Sequence, residues 1–106
     1  MGIFDLFKSP DINQGVGQFQ ETPGAVLLDV RTPEEYAEGH IPGSKNIPLQ
    51  ALDRIRELTE DAGTPLFTYC LSGARSRQAV SLLRSMGYAS ATNLGGICDY
   101  RGRLES

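Results

Sequence analysis

The chain has 106 residues, enough for one domain with a single hydrophobic core and no disulfide staples. Its net charge of -3 and isoelectric point near 5.0 provide no global basic field, which argues against nucleic acid as a partner. Cys70 and Cys98 are far apart without Cys-x-x-Cys spacing, and with one histidine in the chain they are too few for a structural zinc site, so neither a metal nor another cofactor is expected.

Residues 1–8 lack both a long apolar stretch and a basic start, so no signal peptide and no membrane contact are expected and the expected location is cytoplasmic. Gly2 invites a myristoylation reading, but Leu6 stands where that motif has Ser or Thr. Residues 1–24 are broken up by Pro10, Gly15, Gly17, Pro23 and Gly24. Within them Asp11 reads as an N-cap, and Ile12, Val16 and Phe19 at helical spacing predict a short helix. Residues 25–30 form a continuous apolar run ending in charge, the pattern of a strand buried on both faces. Thr32-Pro33-Glu34-Glu35 then reads as a capping box with Pro at the first helical position, opening a helix that stops at Gly39.

Lys45-Asn46-Ile47-Pro48 predicts a very short strand, and Leu49, Leu52, Ile55 and Leu58 predict a helix ending before Gly63. Residues 66–69 form the next strand, which runs into Cys70. Ala79, Leu82, Leu83 and Met86 fit the buried stripe of a helix stopped by Gly87, and Ala91-Thr92-Asn93-Leu94 is a last strand closed by Gly95-Gly96. Alternating strands and helices imply an α/β fold with a small, largely parallel sheet flanked by helices on both faces. In such sheets ligands gather at the carboxyl ends of strands, where Cys70 falls.

A thiol between a strand end and a helix start meets converging backbone N–H groups and the positive end of the helix dipole, which favour a thiolate. Four residues separate Cys70 from Arg75. If Gly73 adopts a backbone shape costly for other residues, the N–H groups of Leu71, Ser72, Gly73, Ala74, Arg75 and Ser76 can converge on the sulfur, or on the outer sulfur of a persulfide. Arg75 either contacts an anionic substrate or staples the loop through an ion pair. Ser72 and Ser76 offer hydroxyls to the site, and Ser76 also suits a helix cap.

Leu28-Asp29-Val30-Arg31-Thr32-Pro33-Glu34-Glu35-Tyr36 with Gly39-His40-Ile41-Pro42-Gly43-Ser44 and Asn46-Ile47-Pro48; Tyr69-Cys70 with Ser72-Gly73 and Arg75-Ser76; and Leu94-Gly95-Gly96-Ile97 are three separated pieces. Together, between about Val26 and Tyr100, they resemble the rhodanese family of sulfurtransferases. The resemblance implies one rhodanese-like domain over residues 1–106, with the motifs in 25–100 and an N-terminal segment of unassigned role in 1–24. It also implies that Cys70 takes a sulfane sulfur from a small sulfur-containing anion such as thiosulfate, or from a protein persulfide. The Cys70 persulfide would then pass the sulfur to a thiol or cyanide acceptor. Two positions depart from the family pattern: Leu71 stands where active members often have a basic or polar residue, and Tyr100 where Trp is common.

Two other functions compete with this one. Cysteine phosphatases also place Cys and Arg around an anion-binding loop, but with five residues between them, and the four here favour sulfur. A binding or regulatory module could keep the fold without turnover, which retention of Cys70 disfavours. Asp29 and Arg31 are expected to fix the chain path by ion pairs and hydrogen bonds, and His40 to be a turn residue bonded to backbone and not a base for Cys70. Cys98 is expected to be inert, with resolution of an oxidised Cys70 as the alternative. Glu34, Glu35 and Glu38 read as a solvated first-turn face.

Overall fold

Four parallel strands, β1 (Val26–Asp29), β2 (Ser44–Asn46), β3 (Leu66–Cys70) and β4 (Ala91–Gly96), stand in the order β2-β1-β3-β4 in the computed structural model of the protein, which describes residues 10–106. The expectations for a leader, a membrane anchor or a lipid at residues 1–8 lie outside the described residues. Among the described residues no helix is long and apolar enough to cross a membrane.

The helices are α1 (Ile12–Glu21), α2 (Pro33–Glu38), α3 (Ile55–Leu58) and α4 (Ala74–Ser85). Alternate strand residues serve opposite faces of the sheet. Leu28, Val30, Leu66 and Cys70 join Ala79, Val80 and Leu83 of α4, with Leu52, Ile55 and Tyr88, in one buried cluster. Leu27, Tyr69 and Leu94 join Ile12 and Val16 of α1, with Ile41 and Ile97, in the other. Helices therefore cover both faces, and α1 contributes Ile12 and Val16 to one of the two cores.

Both expected caps form. Asp11 accepts from the amides of Asn13 and Gln14, and Thr32 and Glu35 make the reciprocal capping box. The α1 helix runs the full ten residues through Gly15 and Gly17. A Cβ at Gly15 would overlap the Leu94 side chain, so a residue that weakens the helix locally lets it lie close on β4.

Three elements differ from expectation. Residues 49–54 form a 3-10 helix with a kink at Ala51, and α3 follows it. The leucines and isoleucine there recur every three residues, a spacing that suits the 3-10 repeat and, over so short a span, the α repeat as well. The buried stripe of α4 is Ser76, Ala79, Val80 and Leu83, whereas Leu82 is 45% exposed. The strand expected at residues 45–48 sits at Ser44–Asn46, where Ser44 pairs with Leu27 of β1.

Strand order reverses between β1 and β3, because β2 is laid on one side of β1 while β3 and β4 build on the other. The carboxyl ends of β1 and β3 therefore bound the crevice in which doubly wound sheets bind ligands. A register shift opposite Thr68 and Tyr69 leaves Leu94 as an extra residue in β4, which sets Cys70 beside Gly96.

Candidate active site

Cys70 ends β3 with only 1% of its surface exposed, and the chain turns at once into α4. Gly73 makes that turn at φ +104°, the left-handed region that other residues enter only at a cost, as the sequence required of it. In this conformation its N–H donates to Cys70 Sγ at 3.0 Å. A side chain at Gly96 would overlap the Leu71 carbonyl and the Ser72 Cα, so the end of β4 passes beneath the loop only as glycine. The Leu71 carbonyl accepts from the Cys98 amide at 3.2 Å, which ties the loop to the same segment.

Burial pushes the Cys70 thiol up, but hydrogen bonds from the Ser76 hydroxyl and from the amides of Ser76, Gly73 and Ser72 outweigh it, so the thiol ionises below its ordinary value. The Ser76 hydroxyl has a single proton and lies 2.6 Å from Asn93 Oδ1, so the amides are the standing part of that stabilisation.

Asn93 was read from the sequence only as one residue of a strand, and it proves to be the joint under the loop. Its Oδ1 also accepts from the Gly95 amide at 2.9 Å, and the Ser76 hydroxyl lies 3.1 Å from the Gly73 carbonyl. Strand β4, the loop and the first turn of α4 are thus bound together through two side chains. An amide side chain near the end of a strand, two residues before Gly-Gly, was the available signal. Ser76 is fully buried here, which explains how a polar residue opens the apolar stripe of α4.

Of the two readings of Arg75, the ion pair is the one the structure contains. Its guanidinium meets Glu35 in a bidentate bridge of 2.7 and 3.0 Å, forty positions away in sequence. The expectation that Glu35 belongs to a solvated carboxylate face is corrected: it caps α2 and holds Arg75 across the crevice. The hydrogen bond from Arg75 keeps its carboxyl down at about 2, against the weaker opposing effect of burial.

Asp29, the last residue of β1, and Arg31 just after it form a buried pair, with guanidinium contacts of 2.8 to 3.1 Å. Arg31 also donates to the Gly39 carbonyl at 2.7 Å, and Asn46 donates to the carbonyls of both residues, so these groups fix the chain path. The His40 ring stacks on Tyr36 with centroids 3.8 Å apart and sets Nδ1 2.8 Å from the Tyr36 carbonyl. Its backbone pairs with Glu105. It is a turn residue bonded to backbone, as its setting between Gly39 and Ile41 suggested.

Leu71, 46% exposed, and Ser72 form the rim over the sulfur, with Ala74 also open to solvent. Cys98 is exposed. Among the described residues no three side chains of His, Cys, Asp or Glu gather as metal ligands. The arrangement suits a covalently acting sulfur, since its donors are backbone groups that need no reorganisation when charge develops on it.

The family model described as Rhodanese-like domain matches residues 14–102. A thiosulfate sulfurtransferase of Escherichia coli is 40% identical over 73 residues, 68% of this chain and 70% of that protein. A human thiosulfate:glutathione sulfurtransferase is 37% identical over 94 residues, 76% of this chain and 80% of its own length. Among solved structures, a rhodanese with anions from Escherichia coli superposes with a TM-score of 0.72 at 35% identity, over 76% of this chain and 96% of that one.

Proposed function

This chain belongs to the rhodanese-like domain family, and on that footing we propose that it is a sulfurtransferase, working as one domain, whose Cys70 accepts, carries and hands on a sulfane sulfur. The observation that carries this reading is the Gly73 N–H aimed at Cys70 Sγ from a loop that closes on one atom. In the first half-reaction the Cys70 thiolate attacks the outer sulfur of thiosulfate. A bond forms between Sγ and that sulfur, the bond to the sulfonate sulfur breaks, and sulfite leaves with the electron pair. In the second half-reaction a thiolate or cyanide attacks the outer sulfur, and Cys70 departs as thiolate. The acceptor product is a persulfide or thiocyanate, and no external oxidant or reductant is consumed.

The amides of Ser72, Gly73 and Ser76 stabilise Cys70 as nucleophile and again as leaving group. Arg75 acts through its bridge to Glu35, holding the loop against α2. The absence of charge at Leu71 makes a protein persulfide as suitable a source as thiosulfate.

Intact-mass measurement after incubation with thiosulfate tests the reading. The protein should gain the mass of one sulfur atom, lost on reduction and located at Cys70 by peptide mapping, and Cys70→Ser should neither load nor turn over. Sulfur found only on Cys98, or turnover by the serine variant, would refute the mechanism.

A further inference from the structure

The outer face of α4 and the edge strand β4 enclose an open cleft of about 390 Å³ lined by Arg77, Val80, Ser81, Arg84 and Asn93. A second cleft of about 240 Å³ shares Arg77 and Asn93 with it and is lined by Ser72, Gly73 and Ala74 of the cysteine loop. In a chain of net charge -3, α4 carries three arginines and no acidic residue. Arg75 is taken by Glu35, whereas among the described residues neither Arg77 nor Arg84 forms a salt bridge. Arg84 is held over the strand edge by a 2.8 Å hydrogen bond from Nη2 to the Ala91 carbonyl, which leaves its remaining donors available.

We propose that these two adjoining clefts dock an extended acidic segment of a protein sulfur acceptor and lead the acceptor's cysteine to the Cys70 loop. The inference rests on the sulfur-transfer reading above. Arg77 and Arg84 lie seven positions apart, about 10 Å along the helix, which falls between the roughly 7 and 13 Å that separate side chains two and four positions apart on one face of an extended chain. Two carboxylates so spaced can each meet one guanidinium, with Val80 as the apolar floor between them. Asp99 lines the end nearest the loop, so the acidic side chains belong at the α4 end and the neutral, cysteine-bearing part at the loop. Transfer itself is attack of the acceptor thiolate on the outer sulfur of the Cys70 persulfide, with Cys70 leaving as thiolate.

The probe is a pair of cysteine peptides, one with glutamates about three and seven residues beyond the cysteine, on one face of the extended chain, and the other with glutamines in their place. The protein is loaded with thiosulfate, loading is verified by mass, and discharge to each peptide is timed. Loading failure therefore reports on the sulfur-transfer reading, and the peptide preference reports on docking. Equilibrium binding of both peptides by fluorescence anisotropy measures the same preference on unloaded protein. At low salt the acidic peptide should be favoured about three- to tenfold, as expected of two exposed ion pairs. The preference should fall toward unity at high salt and in the Arg77→Gln/Arg84→Gln variant. Arg77→Gln alone, which breaks no hydrogen bond among the described residues, should show a reduced preference. Equal handling of the two peptides by the unmodified protein, or a preference that survives the double substitution, would overturn the proposal.

Discussion

The two central strands both end in a turn rich in polar groups, yet the turns use them in opposite ways. At the end of β1, Asp29 and Arg31 bury two opposite charges and direct their hydrogen bonds to each other and to neighbouring backbone. After β3, no charged side chain is buried at the turn, and a backbone N–H points at one sulfur beneath a partly exposed rim. Concentrated charge therefore marks the part of the crevice that holds the chain in place. The reactive part is marked by donors that no carbonyl has claimed.

Substitutions on the two sides should separate these roles, with the largest effect after β1. Asp29→Ala leaves the Arg31 guanidinium buried without its partner and should cost about 3–5 kcal/mol, read as the loss in urea unfolding free energy. If the pair served the chemistry alone, stability would hold and only turnover would fall.

On the β3 side, Asn93→Ala removes the acceptor that joins Ser76 and Gly95, which loosens the aim of the Gly73 N–H. Hydrogen bonds to a charged form favour it, so their weakening should raise the midpoint of Cys70 alkylation by about one pH unit and slow sulfur loading at neutral pH. An unchanged midpoint would show that the loop keeps its shape without Asn93.

The smallest effect belongs to the bridge spanning the two sides. Glu35→Gln should cost about 1 kcal/mol at neutral pH, because the pair is partly exposed and solvent screens it. The folded carboxyl titrates at about 2, below its ordinary value of 4.5, so the stabilisation is complete above the ordinary value and is lost as pH falls toward the folded one. The stability difference between variant and unmodified protein should therefore close between those two pH values. A difference that persists at the acid end would assign the effect to capping of α2.

Much of the crevice was legible because its determinants are local. A buried strand running into charge located the end of β1, Thr32-Pro33-Glu34-Glu35 started α2, and Gly73 after Cys70 announced a left-handed turn. What escaped notice depends on partners distant in sequence. Glu35 looked solvated because its partner is forty positions on, and Asn93 looked like a strand residue because the groups it binds belong partly to α4. The α4 stripe was displaced for the same reason: Ser76 is polar by composition, and its burial is offset by bonds that only the folded loop and β4 provide. Residues 49–54 were read as helical without their type, because spacing by three serves both helix types over a short span.

The hydrogen bond from Gly73 to Cys70 also gives the protein an intrinsic spectroscopic gauge. Most backbone N–H groups point at carbonyl oxygens, whose charge never changes, whereas this one points at an atom that can be protonated, ionised or substituted. Its amide resonance and its rate of hydrogen exchange follow the state of that sulfur. A single glycine peak in a nitrogen-15 spectrum thereby reports occupancy of the site in real time, without a label on the cysteine itself.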